Sequence, residues 1–118
     1  MRVLVADNDP RVRTALHMLL KLEPELAIVG ESTAAPSLLA QAQDLEPDLI
    51  LLDWELPGDS TATLIEHLKR SKVHCKIIVL ARRSEVKPAA LSVGADAFVS
   101  KMDPADSLLE TLHKLFKL

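Results

Sequence analysis

Asp7, Asn8 and Asp9 stand side by side after one apolar run, Asp53 follows a second, and Lys101 comes just after a third. Two carboxylates brought together repel unless a proton or a cation lies between them. Mg2+ is the hard ion that takes a few carboxylates while keeping several waters, and Lys101 is an organic cation able to share that task. A carboxylate neutralised in this way is placed as a nucleophile toward phosphorus, because phosphoryl transfer asks mainly for positioning and charge compensation. Asp53 is the candidate acceptor. Asp9 has a simpler account as an N-cap ahead of Pro10. Asp53 and Lys101, taken singly, read equally well as solvated strand ends; their combination points to a site.

The elements that must gather these residues are legible from apolar periodicity. Short runs at Val3 to Ala6, Ala27 to Val29, Leu49 to Leu52, Ile77 to Leu80 and Ala97 to Val99 fit strands. VLVA, LILL and IIVL are apolar at every position, as in strands buried on both faces of a parallel sheet. Between them the period changes. Val12, Ala15, Leu16, Leu19 and Leu20 follow a helical stripe, and Leu108, Leu109, Leu112, Leu115 and Phe116 nearly repeat it. Weaker stripes run through Leu38, Leu39, Ala42 and Leu45, through Thr61, Leu64, Ile65 and Leu68, and through Val86, Ala89, Ala90 and Val93. Asp9-Pro10 and Asp103-Pro104 each predict a capping carboxylate with proline first in the helix, and Ala35-Pro36 predicts a similar start. Gly30, Gly58 and Gly94 are expected in turns.

Five strands alternating with five helices predict an α/β, doubly wound parallel sheet in one domain over 1–118. Such sheets bind ligands outside the carboxyl ends of their strands, where the strand order reverses. Asp7, Asp53, Ala81 and Lys101 all follow strands, so they should converge there.

The chain has 118 residues, 48% of them hydrophobic, enough for a core without metal or disulfide, and its single cysteine, Cys75, closes no internal bridge. No apolar stretch is long enough to span a membrane, and Met1 leads into VLVA without a signal-peptide pattern, so a cytoplasmic location is expected. A net charge of -3 argues against nucleic-acid binding by this chain.

VLVADNDP, PDLILLDWELPG, IIVLA and GADAFVSK resemble, in order and spacing, the receiver domain of bacterial two-component response regulators. The resemblance covers essentially the whole chain. It implies a flavodoxin-like sheet of order 2-1-3-4-5, with Asp53 accepting a phosphoryl group from a histidine kinase. It further implies that Asp7 and Asn8 occupy the acidic pair, that Glu55 offers its backbone carbonyl to Mg2+ beside Asp53, and that Lys101 is the lysine of the family motif. Phe98 falls at the aromatic position that rotates during switching. The face formed by the fourth helix, fifth strand and fifth helix would relay the signal and could support a homodimer. An effector domain outside this chain is a further implied partner.

Several positions depart from the pattern. Asn8 stands where Asp is usual, so the site loses one negative charge and metal affinity should fall. Ala81 stands where Ser or Thr would donate to the phosphoryl group and move during switching. Between Ala81 and Gly94 the chain is about two residues shorter than the family pattern, so a shortened or deformed fourth helix is expected. Phe98 has no hydroxyl, Trp54 beside Asp53 is a candidate shield against water, and Met102 replaces a proline after Lys101. A weakened switch is therefore expected, and the rival reading is a phosphorylation-independent interaction module. A turnover enzyme is disfavoured because the pattern sets no general acid beside Asp53.

Other residues carry less. His17, His67, His74 and His113 lack metal-ligand spacing and read as surface histidines. Cys75 reads as a small apolar side chain. Lys69, Arg70, Lys72, Lys76, Arg82, Arg83 and Lys87 make a basic side, read as a solvated face or a docking surface for an acidic partner. Leu115, Phe116 and Leu118 are candidates for a dimer face.

Overall fold

Burial on both faces decides the arrangement of the strands. In the computed structural model, which describes residues 1–71 and 74–117, five parallel strands pair in the order β2-β1-β3-β4-β5. They are β1 (Arg2–Ala6), β2 (Ala27–Ser32), β3 (Leu49–Asp53), β4 (Lys76–Ala81) and β5 (Ala97–Ser100). Every residue of β3 is buried, as its unbroken apolar run requires. Alternate side chains feed two separate cores. Leu4, Ile50, Leu52, Ile77 and Val79 pack with α2 (Ala35–Leu45), α3 (Thr61–Arg70) and α4 (Lys87–Ser92). Val3, Val5, Leu49, Leu51, Ile78, Leu80 and Val99 pack with α1 (Pro10–Leu20) and α5 (Ala105–Phe116). Leu38, Ile65 and Leu112 are fully buried, each contributing about 1.5–3 kcal/mol. The fold is the flavodoxin-like α/β sandwich, and its strand order reverses at β1 and β3.

Local signals set most boundaries, and a few were misread. Asp9 caps α1 by accepting the Arg11 backbone N–H at 2.9 Å, with Pro10 opening the helix. Asp103 does not cap α5. Pro104 is itself the N-cap, and the Asp103 carboxylate accepts the Ser100 N–H at 3.3 Å, bracing the turn after β5. α2 likewise begins one residue early, with Ala34 as N-cap and Ala35 as its first residue. Gly30 lies inside β2, contrary to the turn expected there. The β1–β2 register shifts beside it, and a Cβ on Gly30 would come within 2.8 Å of Leu45 Cδ1, so α2 can lie close only against a glycine. Gly58 and Gly94 do occupy turns, at φ of 117° and 115°. α4 is six residues long and follows a 3₁₀ turn at Ser84–Val86, the deformation that the short segment predicts.

Among the described residues no helix is long and apolar enough to cross a membrane. Lys72 and Leu118 lie outside the described residues. Leu115 and Phe116 are partly buried against the α1–α5 core. Cys75 is also partly buried, and burial pushes its thiol up to about 11.

Candidate functional site

Asp53 is the last residue of β3, and the chain turns sharply after it. The Trp54 N–H extends the ladder to Leu80 O at 2.9 Å. Then the Glu55 N–H folds back on Asp53 Oδ1 at 3.1 Å, and the Thr61 hydroxyl ties down the Trp54 carbonyl. Asp7 follows β1. Its N–H donates to Ser32 O at 3.0 Å, its carbonyl accepts Arg13 Nη1 at 2.8 Å, and its Oδ1 accepts the Asp9 N–H at 2.8 Å. Lys101 follows β5 and is anchored by its N–H to Ala81 O at 2.7 Å.

These anchors bring three charged side chains together. Lys101 Nζ lies 2.8 Å from Asp7 Oδ2 and 3.1 Å from Asp53 Oδ1. Asp7 is 1% exposed and Asp53 7%, so the group is almost dry and its charges are weakly screened. Burial, reinforced by the Asp7 charge, holds the Asp53 carboxyl above the usual range, against the opposing pull of the Glu55 N–H and Lys101. Burial opposes the Lys101 charge, but its bond to Asp7 and the charge of Asp53 outweigh that and raise its pKa.

The four carboxylate oxygens are not equivalent. Both oxygens of Asp7 are hydrogen-bonded, and Asp53 Oδ1 faces Glu55 and Lys101. Among the described residues no hydrogen bond reaches Asp53 Oδ2, yet it is not a buried unpartnered atom, so it meets solvent. One oxygen is thus held and the other is open to an electrophile.

The other predicted positions surround this group. Asn8 and Glu55 are exposed at the rim. The donors that Asp7, Asn8, Asp53 and the Glu55 carbonyl would offer are all oxygens, the kind a hard divalent ion takes. The buried triad carries one more negative than positive charge, which also fits a cation. Ala81 is buried and presents only a methyl group. Phe98 is half-buried against the α2–α4 core, and Trp54 packs on the same side. Trp54 and Ala81 border a groove of about 360 Å³ that also includes Glu55, Arg82 and Val86.

Sequence reasoning missed Arg13 and Thr61, whose bonds hold the loops after β1 and β3; no spacing rule marks them. The basic side is largely paired: Lys69 with Asp96, Arg70 with Glu66 and Arg83 with Glu85. His17 pairs with Glu31 and His113 with Glu23 on the surface, and among the described residues no group of three or more His, Cys, Asp or Glu side chains is gathered as metal ligands.

The family model for the response regulator receiver domain matches residues 3–113. The chain is 33% identical over 115 residues to the nitrate/nitrite response regulator protein NarL of Escherichia coli K12, covering 95% of this chain and 53% of NarL. It is also 33% identical over 109 residues to a protein-glutamate methylesterase/protein-glutamine glutaminase of Agrobacterium fabrum, covering 90% of this chain and 31% of that protein. It therefore spans about half or less of these relatives. The isolated REC domain of RcsB from Salmonella enterica serovar Typhimurium, solved with the phosphomimetic BeF3-, superposes with a TM-score of 0.92 at 27% identity, covering 99% of this chain and 88% of that one.

Proposed function

Because the chain belongs to the response regulator receiver domains of two-component signalling, we propose that Asp53 accepts a phosphoryl group from a histidine kinase. The observation that carries this reading is the open Oδ2 of Asp53 beside a pocket whose other carboxylate oxygens are held. In the transfer that oxygen forms a bond to phosphorus as the P–N bond of a phosphohistidine breaks, and the departing imidazole takes up a proton. Lys101 neutralises charge on the acceptor side, and the Glu55 N–H fixes the rotamer of Asp53.

Asp7, Asn8, Asp53 and the Glu55 carbonyl would hold Mg2+, which when bound neutralises charge on the phosphoryl oxygens. Asn8 contributes an amide where a second carboxylate would bind more tightly. The phosphorylated state would bias the α4–β5–α5 face toward a second arrangement, read by an effector domain or a second copy of the chain. Ala81 has no hydroxyl to follow the phosphoryl group, so coupling to Phe98 is weak.

That missing donor also favours a second reading, an interaction module that works without phosphorylation. Incubation with acetyl phosphate and Mg2+, read by intact mass, separates the two. One added phosphoryl group, lost in Asp53→Ala, supports the receiver. No addition, with a partner bound equally by the native chain and Asp53→Ala, supports the module.

A further inference from the structure

Four arginines stand around the acidic pocket, and three of them are already engaged, Arg13 by the Asp7 carbonyl at 2.8 Å. Arg11 donates to the Asp9 carboxylate at 3.3 Å, and Arg83 Nε to Glu85 Oε2 at 3.3 Å. Arg82 has neither an ion pair nor a side-chain hydrogen bond among the described residues. It is exposed, and it directly follows Ala81 at the carboxyl end of β4, the strand paired with that of Asp53.

Arg82 lines two clefts, one shared with Asp9 and Lys101, the other with Trp54 and Glu55, the two residues that follow Asp53. An unspent guanidinium thus stands where the pocket lacks two things, the hydroxyl absent at Ala81 and the compensation of added charge once a phosphoryl group arrives.

We infer that Arg82 is a phosphoryl-contacting residue of this site, its guanidinium binding the phosphoryl oxygens on Asp53 in place of the hydroxyl that Ala81 lacks. The inference rests on Asp53 being the acceptor. Guanidinium suits the task because it is permanently charged and its planar fork makes two parallel N–H bonds to a phosphate. The contact supplies charge from the protein at a site where Asn8 weakens the hold on a divalent ion.

Fluoroberyllate with Mg2+ is the probe, and Trp54, the only tryptophan and the neighbour of Asp53, is the fluorescent reporter. Arg82→Ala is expected to weaken the apparent affinity by about tenfold or more, as loss of a hydrogen bond to a charged group does. Arg82→Lys should recover only part, because a point charge lacks the fork. Adding Ala81→Thr to Arg82→Ala should restore much of the loss. Circular dichroism checks that the variants keep the fold. Normal fluoroberyllate binding by the native chain with unchanged affinity in Arg82→Ala overturns the role of Arg82 alone. A native chain that neither binds the probe nor gains a phosphoryl group overturns the receiver reading and this inference with it.

Discussion

The ammonium group of Lys101 lies 2.8 Å from Oδ2 of Asp7, a residue 94 positions away in the chain. Asp7 is 1% exposed, and this is the bond that makes its charge tolerable there. The same ammonium reaches Asp53, so one cation serves two carboxylates from two strands. From that sharing come opposite expectations for the partners.

Lys101→Met should destabilise the fold by about 3 kcal/mol, since removing one partner of a buried pair strands the other charge. The folded pKa of Lys101 is raised, so its stabilisation is complete below 10.5 and fades as pH rises through the folded value. Urea unfolding at neutral and alkaline pH checks both statements: the variant should lack the alkaline decline. Its phosphoryl uptake should also be lost by mass.

Asp53→Asn should do the reverse. A raised carboxyl pKa means that the folded state binds the proton more tightly, so this contribution is present below 3.8 and is lost as pH rises through the folded value. Ionised Asp53 therefore weakens the fold at neutral pH. The variant is expected to be more stable than the native chain by about 1 kcal/mol at pH 7, as when a functional site is relieved, and to match it near pH 3. Paired denaturation curves at those two pH values test the sign.

Asn8→Asp restores a carboxylate at the rim. Ligand charge tunes divalent affinity over orders of magnitude, so Mg2+ binding should tighten by about tenfold. Calorimetric titration measures it directly. An unchanged affinity would mean that residue 8 does not face the ion.

Asp96→Ala separates stability from chemistry. Its Oδ2 accepts the Ile77 N–H at 2.8 Å and Lys69 Nζ at 2.6 Å, at the amino end of β4 and so at the sheet edge opposite the acidic pocket. Truncation leaves the Ile77 N–H without its acceptor, while Lys69 keeps the Cys75 carbonyl at 3.3 Å, for a loss of about 2 kcal/mol. Phosphoryl uptake by the folded variant should be unchanged.

Sequence alone determined the architecture, because buried parallel strands write their pattern into consecutive residues. LILL in β3 and IIVL in β4 can be satisfied only between two helical layers, and the helical stripes of α1 and α5 supply one of them. The same logic set Asp7, Asp53 and Lys101 at strand ends. Capping was read less well. Asp103 and Asp9 have the same local sequence signature, yet only Asp9 caps its helix, since the carboxylate of Asp103 is drawn to the Ser100 N–H.

Tertiary structure decided what no local pattern carries: which oxygen of which carboxylate is left open. Among the described residues no hydrogen bond reaches Asp53 Oδ2, because Lys101, just after β5, and the Glu55 N–H converge on the other oxygen, while Asp9 and Lys101 occupy both oxygens of Asp7. It also decided that Gly30 belongs inside β2, under Leu45, and that Arg82, unlike Arg11 and Arg83, makes no ion pair among the described residues. Those outcomes depend on distances between segments far apart in the chain. Hydrophobic periodicity fixes which face a residue takes, and only packing fixes which charge it meets.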